Sequence, residues 1–294
     1  MEQIGIIGLG NMGIAIAAQL VEAGKQVAVL DLQNERMQQA VGFGARPAED
    51  LTDLTRTSQA LLLVLPGPEQ VKSVIDGLGG LAAGTEERIT VVDMTTSDPS
   101  VSREAERKCA EIGHRYCDAP VLGRPKGCGN WTVPVGCPNE TFRAVEPLLQ
   151  VLAKSVTHMG PCGTAHAFKL INNLMLGGLN TVIGEVFAIC DAVCIDRKVF
   201  ADTVSESGAA SVSNLFLEMA PRISDSDFTP VFALDLMYKD MALGIKMAED
   251  AGAVPVVSDC HQQINAIGRA QGYGEQDCSS IVKVFQMLNG MTRG

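Results

Sequence analysis

The chain has 294 residues, 46% hydrophobic and 19% charged, enough apolar material for one large or two ordinary cores and too much for wholesale disorder. Its 23 basic and 34 acidic residues give a net charge of −11, which argues against a general nucleic-acid or anionic-membrane binder, since either needs a basic face. The nine cysteines are an odd number without a CxxC pair, so free buried thiols in a reducing compartment are expected and a metal site is not.

In chain order, residues 1–10 contain no basic stretch and no small-residue cleavage site, so no export signal is expected and a cytoplasmic location is. Residues 4–7 form a short apolar run that ends in glycine, and 14–23 have helical composition up to Gly24. Further strands are predicted at 26–30, 61–65 and 90–93, with two more at 115–117 and 133–135. Strands alternating with helical segments imply βαβ units and a parallel, doubly wound sheet. From about Thr164 the pattern changes to helices, predicted at 165–194, 197–205, 214–221, 234–251, 256–271 and 279–288. The apolar stretch 174–195 carries Asn180, Thr181, Glu185 and Asp191, which suits a buried helix better than a membrane span. The expected architecture is therefore α/β: an N-terminal Rossmann-type domain over 1–161, then an all-α domain over 162–294. The long helix after the boundary is expected to run along the join between them.

Gly8-Leu9-Gly10-Asn11-Met12-Gly13 follows the first strand and opens the first helix. In a dinucleotide fingerprint, Gly8 allows the tight turn, Gly10 lets backbone approach a pyrophosphate, and Gly13 permits close helix–strand packing. The N–H groups at Asn11 and Met12 then face the phosphates at a positive helix end. Asp31, at the end of the second strand, is the acidic residue expected about 20 positions on; it would hold the ribose hydroxyls and repel a 2′-phosphate. NAD is the expected cofactor, with Arg36 keeping NADP as the second choice. Leu65 and Pro66 end the third predicted strand and Thr96 follows the fourth, so all three fall at the sheet edge where a cofactor binds.

Ile6-Ile7-Gly8-Leu9-Gly10-Asn11-Met12-Gly13, with Ala17 and Leu20, resembles the N-terminal signature of the 3-hydroxyisobutyrate dehydrogenase, or β-hydroxyacid dehydrogenase, family. Three later blocks match in order. Asp118-Ala119-Pro120-Val121 is similar to the start of the family's substrate-binding block. Gly160-Pro161-Cys162-Gly163 with Lys169-Leu170-Ile171-Asn172-Asn173 resembles its catalytic block, and Tyr238-Lys239-Asp240-Met241 its segment beside the nicotinamide. The resemblance implies a Rossmann domain followed by a helical domain, and a dimer or tetramer. It also implies hydride exchange between NAD and a small anionic 3-hydroxy acid or its semialdehyde. By this resemblance Lys169 is the general acid–base group, Asn173 orients it and the substrate with Asn172 in support, and Lys239 lies near the cofactor. Lys169 sits among Ala167, Phe168, Leu170 and Ile171, and burial beside a positive nicotinamide ring favours the neutral amine that accepts a proton.

The chain departs from the family after Val121. Leu122-Gly123-Arg124 stands where the family carries Ser-Gly-Gly, and the glycine-rich segment that follows is shorter. Val121, Leu122, Gly123 and Arg124 are the substrate-binding candidates, and Arg124 offers a planar, permanently charged fork for a carboxylate, sulfonate or phosphate. The sulfolactaldehyde-reducing branch of the family also places an arginine near this point. Hydroxyisobutyrate, tartronate semialdehyde and sulfolactaldehyde types of substrate therefore all stay open. His166 is expected to be structural, Trp131 to line the pocket or the core, and 207–211 to line the pocket from the helical domain. Two alternatives are imine reductase-like C=N reduction, against which Lys169 and Asp31 both count, and a non-catalytic NAD-responsive regulator.

Overall fold

A computed structural model describes residues 1–81, 89–207 and 214–290. It divides into two compact units, Met1–Lys169 and Leu170–Gly294, and the division falls inside one helix.

The first unit holds eight strands among the described residues: β1 (Gln3–Ile7), β2 (Gln26–Leu30), β3 (Arg46–Pro47), β4 (Ala60–Leu63), β5 (Thr90–Asp93), β6 (Arg115–Asp118), β7 (Trp131–Gly136) and β8 (Ala153–Gly160). They form one sheet in the order β3-β2-β1-β4-β5-β6-β7-β8. The chain starts in mid-sheet, winds outward through β2 and β3, then returns to the other side of β1 at β4. The carboxyl ends of β1 and β4 thus flank the switch point where such sheets hold ligands. All four residues of β4 and of β5 are buried, because helices cover both faces. Ile4, Ile6, Leu62 and Val92 pack on one face with α1 (Asn11–Glu22) and α6 (Asn139–Leu152). Ile7, Leu61, Leu63 and Val91 pack on the other with α4 (Pro68–Leu81) and α5 (Pro99–Glu111). The short α2 (Asn34–Val41) and α3 (Leu51–Arg56) complete the β2-to-β4 crossover.

Two strands were not expected, and one pairing departs from the parallel pattern. β3 is two exposed residues, and β8 is an edge strand of mixed polar and apolar residues that follows α6 with no turn residue between them. β7 runs antiparallel to β6, meeting it at Asp118 and Gly136. Only a loop with one 3₁₀ turn joins these two strands, and a parallel pair needs a longer crossover. Helix α6 supplies that crossover between β7 and β8, which pair parallel.

The second unit is helical, with α7 (Thr164–Ala192) entering from the first, then α8 (Arg197–Ser207), α9 (Asn214–Ser224), α10 (Leu234–Asp250), α11 (Val256–Ala270) and α12 (Ile281–Leu288). Its core gathers Ile183 and Phe187 of α7 with Leu215, Phe216 and Met219 of α9. The rings of Phe187 and Phe216 stack at 6.1 Å. By length and composition α7 is apolar enough to cross a membrane, but half of its apolar window is buried, as in the core helix of a globular protein. All nine cysteines are free thiols, although Cys194 and Cys260 are exposed rather than buried.

Candidate active site

In the first unit the glycine-rich turn is held by contacts that admit no side chain. Gly8 has φ +96°, and a Cβ there would lie 2.2 Å from the Val64 carbonyl oxygen. A Cβ on Gly13 would lie 2.0 Å from the Gly8 carbonyl oxygen. Gly10 differs: its φ is −60°, and a Cβ would meet nothing within 4 Å. Protein packing therefore explains two of the three glycines and leaves an open cradle at the third. Helix α1 starts there without a side-chain cap, so its first amides, at Asn11, Met12 and Gly13, point into that cradle. Open space and uncapped amides suit a dinucleotide's diphosphate.

Asp31 closes the turn from the end of β2. Its Oδ2 accepts the Leu9 N–H at 2.6 Å and its Oδ1 accepts the Gln33 N–H at 2.8 Å. A carboxylate has about four acceptor positions, so two remain for ribose hydroxyls. Pro66 is exposed and Thr96 half-buried. The residue that organises this edge is Thr95, which the sequence reading passed over. Its hydroxyl accepts the Leu65 N–H at 3.1 Å, and its own N–H donates to Asp93 Oδ1 at 3.0 Å. An Asp that closes a turn two residues on is a readable signal, here at the end of a strand. Asp93 is fully buried and also accepts the Tyr116 hydroxyl at 2.7 Å; burial pushes its carboxyl above the ordinary value, against the pull of His166 and these hydrogen bonds.

The 118–121 block grips the start of α7 at two levels. The buried Asp118 carboxylate accepts the Gly163 N–H at 2.7 Å and the His166 N–H at 2.8 Å, satisfying amides at the positive end of the helix. One turn further on, half-buried Lys169 donates from Nζ to the Val121 carbonyl at 2.9 Å. The His166 ring is fully buried, with Nδ1 2.7 Å from Ser102 Oγ. The strong positional role of Asp118 was visible only as part of a motif, because its hydrogen bonds span 45 and 48 residues.

The altered loop is seated by Trp131, which is core and not pocket wall: it is 2% exposed. Its indole N–H donates to the Arg124 carbonyl at 2.8 Å. A Cβ on Gly123 would lie 2.1 Å from the same ring, so that glycine answers to tryptophan packing. Leu122 forms a two-way backbone bridge with Thr132, Val121 is buried, and Arg124 is half-buried. The thiol of this loop, Cys128, is a poor nucleophile, because burial pushes it up to about 11.

In the second unit, Asn172, Asn173 and Lys239 come together through a residue that sequence reasoning did not select. Asn173 is 2% exposed, and its Nδ2 donates to Asp240 Oδ2 at 2.7 Å. Lys239 Nζ lies 2.9 Å from Asp240 Oδ1, and Asn172 Nδ2 donates to Asn173 Oδ1 at 3.4 Å. Of the 207–211 segment expected to line the pocket, residues 208–211 and the side chain of Ser207 lie outside the described residues.

Sheet order, glycine turn and terminal carboxylate define a dinucleotide-binding domain of the Rossmann type. Residues 3–160 match the family described as the NAD binding domain of 6-phosphogluconate dehydrogenase, and 163–285 match that described as NAD-binding of NADP-dependent 3-hydroxyisobutyrate dehydrogenase. The chain is 30% identical to the 2-(hydroxymethyl)glutarate dehydrogenase of Eubacterium barkeri, over 99% of this chain and 97% of that one. It is 27% identical to the 3-sulfolactaldehyde reductase of Escherichia coli, over 99% and 98% of the two chains. The structure of 3-hydroxyisobutyrate dehydrogenase from Salmonella typhimurium superposes with a TM-score of 0.87 at 25% identity, covering 96% of this chain and 99% of that one. The chain belongs to the 3-hydroxyisobutyrate dehydrogenase, or β-hydroxyacid dehydrogenase, family, and it is an NAD-binding dehydrogenase of hydroxyacids.

Proposed function

We propose that the protein interconverts a small anionic 3-hydroxy acid and its semialdehyde, with Lys169 as the general acid–base group and NAD preferred over NADP. The observation that carries this is the placement of Lys169 Nζ, 2.9 Å from the carbonyl of Val121, the residue that opens the substrate loop. One of the ammonium's three donors is spent on holding it there, which fixes the group that exchanges the substrate's hydroxyl proton. When bound, the dinucleotide takes up or gives back the hydride. The chain's task is then to hold the diphosphate on the α1 amides, the ribose on Asp31, and the proton on Lys169. Arg124 reads the substrate's acid group as a charged fork. The named substrates of the two relatives, 2-(hydroxymethyl)glutarate and 3-sulfolactaldehyde, are both small anions bearing a primary alcohol or an aldehyde, and they support that substrate class.

Lys169→Ala tests the reading. Expected is a fall in kcat of about 10²–10⁴-fold with NADH affinity unchanged, the range that acid–base help contributes. Near-normal turnover removes Lys169 from the chemistry.

We further infer a soluble cytoplasmic homo-oligomer, a dimer or a tetramer. Ile171, Met175, Leu179, Val182 and Ile189 are exposed and fall at helical spacing along α7, an apolar stripe of the kind that a subunit interface covers. Sedimentation equilibrium of the purified chain decides it, and a monomer at micromolar concentration refutes it.

A further inference from the structure

In the helical unit, α7 carries glycines where other helices come close. A Cβ on Gly178 would lie 3.0 Å from the His261 ring of α11, and one on Gly184 would lie 2.5 Å from Ile281 Cγ2 of α12. Beside these two approaches a cavity of about 360 Å³ opens between α7, α11 and α12. That is within the size range of small-molecule sites. Every residue that lines it belongs to this unit.

The lining combines two kinds of surface. Thr181 and Glu185 fall one turn apart on α7, on the face that Gly178 begins, and His261 meets the cavity from α11. Ile264 and Ile267 continue the α11 face, and Phe285 adds a ring from α12. Thr181 Oγ1 donates its hydrogen to the Gly177 carbonyl at 3.0 Å, so its oxygen is left to accept. Burial holds the His261 ring below its ordinary value, against the pull of Glu185, so the ring is neutral near pH 7 and offers a nitrogen lone pair. Among the described residues, neither the Glu185 carboxylate nor the His261 ring makes a hydrogen bond or an ion pair. Three acceptors, one of them charged, thus line a cavity that also has an aliphatic and aromatic wall.

We propose that this cavity binds a small primary ammonium with a compact apolar body. The three N–H donors of an ammonium match the three acceptors, and its charge matches Glu185. The apolar body covers Ile264, Ile267 and Phe285. An alcohol brings one donor and leaves the carboxylate's charge unpaired. A carboxylate, sulfonate or phosphate is repelled by Glu185. The cavity is therefore distinct in chemistry from a site for an anionic substrate and a dinucleotide. A bound ammonium ties α7 to α11 and stabilises the helical unit by mass action. Val182 lines the cavity and also belongs to the exposed stripe of α7, so the rival occupant is a second subunit.

Calorimetric titration and thermal unfolding of the full-length protein with phenethylammonium chloride test the proposal. Phenethyl alcohol and 3-phenylpropanoate carry the same ring without charge and with a negative charge. The ammonium should bind with a Kd at or below about 1 mM, a strength within reach of a ligand this small, and should raise the thermal midpoint. The alcohol should bind at least about 10-fold more weakly, and the anion not at all. Glu185→Gln keeps the shape and removes the charge, so the Kd of the ammonium should rise at least about 10-fold. Glu185 is exposed, and the substitution should leave the midpoint of the free protein within about 2 °C. Glu249→Gln removes an exposed carboxylate of α10 outside the cavity and should leave the Kd within about 2-fold.

That pattern supports the site. An ammonium that does not bind, an alcohol that binds equally well, or a Kd that Glu185→Gln leaves unchanged overturns it, as does an equal loss in Glu249→Gln. Should Glu185→Gln fail to fold, His261→Ala decides: its Kd should rise about 3–10-fold, and an unchanged Kd overturns the proposal. Sedimentation equilibrium separates the rival occupant. A wild type that binds no ammonium, beside a Glu185→Gln variant of altered subunit number, assigns the cavity to a second copy and overturns the ligand site. None of these measurements depends on turnover, so their outcome is independent of the acid–base role of Lys169.

Discussion

The two units carry their residues by different physical means. In the first, the cofactor edge is made by backbone: a glycine turn that admits no Cβ, uncapped helix amides, and strand ends in register. In the second, the candidate residues are held by side chains that satisfy one another between helices, as Asn173 and Asp240 do. Backbone-built sites depend on a few irreplaceable small residues. Sites built from side chains depend on partners distant in sequence, where each residue alone looks replaceable.

The sharpest way to break that contrast is to add one methyl group at each of the three glycines. Gly8→Ala forces a side chain into a positive φ against the Val64 carbonyl, and Gly13→Ala drives one into the Gly8 carbonyl. Gly8→Ala should cost about 3 kcal/mol or more in urea unfolding, since strain and overpacking act together, and Gly13→Ala about 1–3 kcal/mol from overpacking alone. Gly10→Ala meets no protein atom within 4 Å and should stay within about 0.5 kcal/mol of wild type. Its NADH affinity should fall at least about 10-fold, roughly 1.4 kcal/mol, if a diphosphate occupies the cradle. Fluorescence titration separates the cases. Unimpaired NADH binding by Gly10→Ala would show that the cradle holds no phosphate.

The counterpart in the helical unit is Asp277. Its carboxylate accepts the N–H groups of Val231, Phe232 and Ser279 and the Ser279 hydroxyl, all within 3.1 Å. Burial raises its carboxyl, but those hydrogen bonds outweigh it and hold the group below the ordinary value of 3.8. Asp277→Ala orphans three backbone donors and should cost about 2–3 kcal/mol. Because the folded group is the stronger acid, its contribution is fully present above the unfolded value and disappears as pH falls through the lower folded value. The stability gap between wild type and variant should therefore be constant from pH 7 to about 5 and shrink below about 4. A gap that widens on acidification would contradict the assignment.

What was legible follows the same division. The helices from Thr164 onward and the strands at β1, β2, β4 and β5 were readable because their apolar runs are continuous and the residues that end them are local. β3 and β8 were not, since two exposed residues and an edge strand that mixes polar with apolar residues carry no continuous apolar signal. Gly8, Gly13 and Asp31 were legible from spacing. Thr95 was passed over, and Asp118 and Asp240 were named only as members of the 118–121 and 238–241 blocks, because what each does depends on a strand or helix far along the chain.

Asp31 tests how far a legible residue has one role. It was expected to discriminate between cofactors, and it also ties Leu9 and Gln33 into the turn. Asp31→Ala should lower NAD affinity about 10-fold, near 1.4 kcal/mol. It should also raise the NADP-to-NAD ratio of kcat/KM, since the charge that opposes a 2′-phosphate is gone. Loss of NAD affinity with an unchanged ratio would leave Asp31 as a turn residue alone.

The smallest expected effect concerns Arg124, where one residue combines both kinds of construction. Its backbone carbonyl seats the loop on the Trp131 indole N–H, while its guanidinium is the proposed reader of the substrate anion. The two functions use different atoms, so they can be separated. Arg124→Ala keeps the carbonyl and should leave urea stability within about 0.5 kcal/mol, while KM for an anionic substrate rises about 10-fold and kcat holds. Trp131→Phe removes the indole N–H from a residue 2% exposed and leaves the guanidinium in place. It should lower stability by about 1–2 kcal/mol and raise KM only through a loosened loop. Arg124→Lys distinguishes charge from geometry: a point charge should recover part of the KM loss and a bidentate fork the remainder. If Arg124→Ala leaves KM unchanged while Trp131→Phe raises it, the loop acts through its shape, and the acid group of the substrate is held by another cation.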